Sequence, residues 1–219
     1  MKRTKLSQRA LPRYSGSEEV ANMITHIIGG AVAICVLVLC ILKAKGLPAL
    51  LGCLIYGCSM LLVYTISSVY HGLRPGTGKK VLQVLDHCAI YFLIAGTYTP
   101  IMLCGFVPSY PWIGWGVLAA QWVLLSLAVT LTAIDLKKYK AFSMVCYILM
   151  GWGIIFFLPQ ALEVLGDAFT LILAGGITYT IGAILFGIGA KKAWFHTAFH
   201  IFVLAGSILQ FLGIYLYIL

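Results

Sequence analysis

From residue 20 onward the chain alternates between apolar blocks and short polar breaks. The blocks fall near 20–42, 47–70, 81–104, 112–133, 141–161, 168–190 and 194–218, seven in all. A helix needs roughly 20 residues to cross about 30 Å of hydrocarbon, and each block is long enough. Gly46, Pro48, Gly76, Gly78, Pro108, Pro111 and Gly166 punctuate the breaks. The pattern predicts an all-α integral membrane protein, with a tail over residues 1–19 and one seven-helix domain over 20–219.

Composition agrees with a bilayer as solvent. Hydrophobic residues make up 62% of the 219 positions and charged ones 10%, against about 25% charged in a soluble domain. No soluble fold of this size has the interior to hide so much apolar side chain. The net charge of +9 is spread over the polar breaks, so it points to membrane topology and not to nucleic acid.

Lys2, Arg3, Lys5, Arg9 and Arg13 lie in the tail, Arg74, Lys79 and Lys80 in the second loop, Lys137, Lys138 and Lys140 in the fourth, and Lys191 and Lys192 in the sixth. The odd-numbered loops hold only Lys43 and Lys45, and the fifth carries Glu163 and Asp167. Basic loops stay in the cytoplasm, which places the N-terminus inside and the C-terminus outside. The tail has no apolar stretch before Glu18 and reads as cytosolic, not as a cleaved signal. All seven cysteines sit in apolar blocks without a CxxC pair and read as small apolar fillers.

With that orientation, the ionisable residues inside the blocks share one depth. His26 lies near the start of the first span, His71 at the end of the second, Asp86 and His87 near the start of the third, and His196 and His200 at the start of the seventh. Residues four apart stack on one helix face, which sets His196 over His200, Ser67 over His71 and Asn22 over His26. A histidine pair at this spacing, joined by a third from a neighbouring helix, offers three nitrogens and leaves one tetrahedral position open. That is the pattern of catalytic zinc, whereas structural zinc is closed by four ligands.

Asp86 would then supply negative charge and serve as general base and acid, and Ser67 would orient it or bind an oxyanion. His87 points about 100° away from Asp86 around its helix and reads as a packing residue or as a support behind the metal ligands. His26 reads as packing or hydrogen bonding with Asn22. Two other readings use the same residues: a metal-stabilised sensor without turnover, and an ion or proton transporter with Asp86 as relay. The transporter is weakened by the scarcity of polar residues in the outer half. A retinal pigment would need a lysine within the seventh span, which has none.

Five stretches, EEVANMITHIIGG (18–30), SSVYH (67–71), LDH (85–87), AGTYTP (95–100) and HTAFH (196–200), occur in an order that resembles the bacterial hemolysin III group of the progestin and adipoQ receptor family. The resemblance runs from about Glu18 to the C-terminus. It implies a seven-helix fold in a bacterial plasma membrane, with zinc near the cytoplasmic face on His71, His196 and His200. It also implies that Asp86 contacts the zinc through water and that Ser67 supports it. Relatives associated with ceramide hydrolysis imply a small apolar lipid amide as substrate, reached from the surrounding membrane lipids. The short tail sets this chain apart from the hormone-receptor members.

Two further stretches read structurally. Pro100 is expected to kink or end the third helix, with Thr97 or Thr99 satisfying freed carbonyls. Small residues over 175–189 suit close helix contact, within one chain or in a homo-oligomer.

Overall fold

A computed structural model describes residues 4, 6–189 and 192–219; Lys2, Arg3, Lys5 and Lys191 of the charge pattern lie outside the described residues. Among the described residues, seven helices are long and apolar enough to cross a membrane. They are α1 (Gly16–Lys43), α2 (Gly46–Gly72), α3 (Thr77–Ser109), α4 (Pro111–Ile134), α5 (Lys140–Leu165), α6 (Asp167–Gly189) and α7 (Phe195–Ile218). The chain is thus an all-α, multi-pass membrane protein.

α1 begins four residues before the expected boundary because Ser15 caps it. The Glu18 amide donates to the Ser15 hydroxyl at 3.3 Å, and the Ser15 amide donates back to the Glu18 carboxylate at 2.9 Å. This reciprocal box satisfies amides that a helix start otherwise leaves free. Gly46, with φ +80°, makes the tight turn into α2, and Gly166, with φ +49°, the turn into α6.

α3 is the central helix, 61% buried over its apolar window where α6 reaches only 17%. Its α-helical winding ends at Pro100, as expected, but the span continues to Ser109. The chain passes into a π-helical stretch, Ile101–Phe106, in which the Val107 amide donates to the Met102 carbonyl. The Ile101 amide, next after the proline, donates to the Tyr98 carbonyl. Thr97 and Thr99 donate to the carbonyls of Leu93 and Ala95, at 2.7 and 2.8 Å.

α5 is one span but two α-helical pieces. Lys140–Gly151 and Leu158–Leu165 flank a 3₁₀ stretch, Gly153–Phe157. Irregular backbone at membrane depth must find partners in protein. Here the Tyr98 hydroxyl donates to the Gly151 carbonyl at 2.8 Å and accepts from the Ile154 amide at 3.0 Å, while Gln121 donates to the Met150 carbonyl.

Lipid tails are as apolar as leucine, so close packing and interhelical hydrogen bonds hold such a bundle. A Cβ on Gly29 would lie 2.4 Å from the Tyr64 ring, and one on Gly96 2.1 Å from Ser59 Oγ. Ser207 on α7 is a hub: Tyr64 of α2 donates to its hydroxyl at 2.7 Å, and the Tyr179 hydroxyl of α6 lies 2.7 Å from it. Residues before α1 cross the basic end of the bundle. The Thr4 amide donates to Asp135 Oδ2 at 2.8 Å, and Arg9 donates to the Ile134 carbonyl at 3.1 Å.

Candidate metal centre

His71 ends α2, and His196 and His200 open α7, so two helices deliver three imidazoles to one place. One nitrogen from each lies within 4.8 Å of the others. His196 Nε2 is 3.3 Å from His71 Nε2 and 3.1 Å from His200 Nε2. Two nitrogens on one tetrahedral zinc, each at 2.0–2.1 Å, would stand about 3.3 Å apart. All three side chains are buried, His200 to 1% exposure.

The δ nitrogens of His71 and His200 are engaged elsewhere. His71 Nδ1 lies 2.7 Å from Glu19 Oε2, a carboxylate that can only accept, so Nδ1 donates and the Nε2 lone pair faces inward. His200 Nδ1 lies 3.4 Å from Thr25 Oγ1. That hydroxyl spends its proton on the Asn22 carbonyl at 2.8 Å, which leaves it an acceptor toward His200. The inward lone pairs of His71 and His200 are left for a cation to take, with His196 Nε2 between them. The donor set therefore fits a borderline-soft, tetrahedral ion with one position left open.

The turn before His196 is strained and pinned. Trp194 adopts φ +67°, in the left-handed region, and its amide donates to Glu18 Oε1 at 2.7 Å. A non-glycine residue holds that conformation only where its surroundings fix it. Tyr14 covers the trio from the basic end, its ring 4.8 Å from that of His196 with planes 16° apart. Burial, then the carboxylates of Asp86, Glu19 and Glu18, raise the pKa of the Tyr14 phenol, so it stays a neutral hydroxyl.

Toward the bilayer centre the site opens into a cavity of about 430 Å³, within the range for lipid- or drug-sized ligands. Ser67, Asp86 and His200 line one end; Leu162, Ile172 and Gln210 line the other. The structure thus brings Ser67 and Asp86 to the chamber that His200 faces. His87 turns away: its Nδ1 lies 2.8 Å from the Gln83 carbonyl of its own helix, and its ring packs on Phe186.

Of the two roles expected for His26, the structure shows packing and not a hydrogen bond with Asn22. Asn22 accepts from Thr197 at 2.6 Å instead of meeting His26. Neither His26 nitrogen has a hydrogen-bond partner among the described residues, and the ring packs 3.9 Å from that of His200. Glu18, Glu19, Lys79 and Tyr14 were not predicted as part of the site. The one sequence signal for them was a pair of carboxylates opening a membrane helix beside a basic tail.

The family model for haemolysin-III-related proteins matches residues 14–211. The chain belongs to that family. This haemolysin-III-related chain is 38% identical over 206 residues to Hemolysin-3 of Bacillus cereus, covering 92% of each protein. It is 35% identical over 204 residues to the Hemolysin-3 homolog of Bacillus subtilis (strain 168), covering 91% of this chain and 94% of that one. A more distant similarity, 24% over 176 residues, links it to the human monocyte to macrophage differentiation factor, with 75% of this chain and 69% of that protein covered. The matched span of the haemolysin-III-related model begins at Tyr14 and takes in every residue of the candidate centre.

Proposed function

We propose that this protein is a zinc-dependent hydrolase of a lipid amide, working inside a bacterial plasma membrane. The observation that carries this reading is the convergence of three imidazole nitrogens at one end of an apolar cavity with Asp86 on its wall. His71, His196 and His200 would hold the ion. Held there, zinc would supply Lewis acidity for the amide carbonyl and for activating water.

The remaining work falls to side chains of the chain itself. The cavity takes the acyl chain of a membrane lipid and keeps bulk water from the reacting centre. Asp86 accepts a proton from the attacking water and returns it to the leaving nitrogen as the C–O bond forms and the C–N bond breaks. Ser67, one turn before His71, donates to Asp86 or to the developing oxyanion.

A second reading is favoured by one observation: the histidines bridge α2 and α7, so an ion would brace the bundle whether or not turnover occurs. In that case the protein is a metal-stabilised membrane sensor. Metal content per chain after detergent purification, in wild type and His200→Ala, tests what the two readings share. About one zinc in wild type with a large loss in the variant supports the site. A screen of lipid amides with Asp86→Ala as control then separates them, because hydrolysis that vanishes with Asp86 while metal is retained belongs to the enzyme alone. Hydrolysis that persists without bound metal overturns the mechanism.

A further inference from the structure

The three histidines differ in what holds them, and only His71 has a charged partner among the described residues. Glu19, in the first turn of α1, places Oε2 2.7 Å from His71 Nδ1 and Oε1 2.7 Å from Lys79 Nζ. Lys79 comes from the start of α3 and is 4% exposed. Its ammonium has three protons and three acceptors: Glu19 at 2.7 Å, the Leu73 carbonyl at 2.9 Å and the His71 carbonyl at 3.4 Å. A lysine so enclosed is a fixed part of the structure and not a solvated member of the basic end.

We propose that Glu19 is a positioning residue for His71 and that Lys79 selects which oxygen it presents. Together they hold His71 in the tautomer whose Nε2 lone pair points at His196 and His200. The inference rests on the metal reading above. A carboxylate behind a ligating imidazole fixes the ring and raises its basicity, and its loss typically weakens metal binding by about 10- to 100-fold.

The same three residues also tie α1, α2 and α3 together, which is the alternative explanation for them. The chemistry of an amide separates the two. In Glu19→Gln the side chain keeps its shape, but Lys79 still needs an acceptor and takes the amide oxygen. The amide nitrogen then faces His71 Nδ1 and donates to it, which drives the imidazole proton onto Nε2 and blocks the lone pair. Removing the demand with Lys79→Met lets the amide turn, so that its oxygen again accepts from Nδ1. The double variant should therefore bind metal better than Glu19→Gln alone, a sign of coupling that independent effects do not give.

The test is a Co²⁺ titration of metal-free protein in detergent, read by visible absorption and by competition with a chelator, with thermal unfolding of the metal-free forms alongside. Wild type should bind with the intense band of a tetrahedral ion, and Lys79→Met, which leaves the carboxylate on His71 without its anchor, more weakly than wild type but more tightly than Glu19→Gln. Glu19→Gln should bind about 10- to 100-fold more weakly, and the double variant should recover most of that loss. Wild-type affinity and spectrum in Glu19→Gln would reduce Glu19 to a helix clamp. A double variant as weak as Glu19→Gln would overturn the tautomer account while leaving the metal site standing. Wild type that takes up no more Co²⁺ than His200→Ala would overturn the metal reading and this inference with it. Imidazole ¹⁵N shifts of metal-free wild type need no variant to fold: a proton on His71 Nδ1 is expected, and one on Nε2 overturns the proposal.

Discussion

The phenol ring of Tyr14 lies on the imidazole of His196, with centroids 4.8 Å apart and planes 16° from parallel. Tyr14 precedes the helix-one cap, so the segment that crosses the basic end also roofs the candidate metal centre. Stacking of this kind contributes about 1 kcal/mol beyond burial, a few-fold in a rate or affinity. Tyr14→Ala should therefore release bound metal to a chelator several times faster than wild type, and Tyr14→Phe should match wild type. Stopped-flow chelation measures both.

Asp86 lines the cavity without belonging to the converging nitrogens. Asp86→Asn should keep close to one metal per chain and lose at least a hundredfold in lipid-amide hydrolysis, within the 10²–10⁴ range of general acid–base catalysis. Metal content and turnover measured on the same preparation check this, and joint loss of both would place Asp86 among the ligands.

Much of this arrangement could be read from sequence, for a physical reason. Helix length and hydropathy are local, so the seven spans emerge within a few residues. Loop charge supplies the orientation, and the i,i+4 spacing of His196 and His200 with His71 at the same depth supplies the trio. What escaped is set by three-dimensional contact. Nothing local says that Lys79 turns inward while Arg74 does not, or that Glu18 and Glu19 reach α7 and α2 respectively. The break in α5 was hidden because its partners, Tyr98 and Gln121, belong to α3 and α4. Of the two roles expected for His26, packing holds, and the Asn22 oxygen accepts instead from Thr197, from the far end of the chain.

Asp135 anchors the crossing segment and gives it a pH dependence. Amides of Thr4 and Lys138, with Arg9 nearby, hold its carboxyl down to about 2. A depressed folded pKa contributes stability that is complete above the free value near 3.9 and is lost as pH falls through the folded one. Docking of the tail should thus be constant above pH 4 to 5 and weaken between about pH 4 and 2. Asp135→Ala should leave the tail loose throughout. Susceptibility of the first residues to an acid protease, normalised to an unstructured peptide, reports the difference.

Gly29 is where α1 lets Tyr64 pass, and Tyr64 in turn reaches the Ser207 hub. Because an added Cβ would meet the ring at 2.4 Å, Gly29→Ala has to displace a fully buried tyrosine. Overpacking of this sort costs about 1–3 kcal/mol. A lower unfolding temperature in detergent is expected for Gly29→Ala, and an unchanged one for Gly30→Ala, where a Cβ meets nothing within 4 Å.

The two ends of the cavity lie on the same helix. His200 borders one end and Gln210 the other, both on α7. Ten residues of α-helix rise about 15 Å, so the chamber has a fixed depth measured from the histidines. On the proposed reading, a lipid with its head group at His200 would have its tail gauged against Gln210. Tails shorter than that depth leave apolar wall uncovered, and longer ones must bend out into the bilayer. For such a lipid the chamber would be a ruler as well as a container, its length set by the spacing of residues along α7.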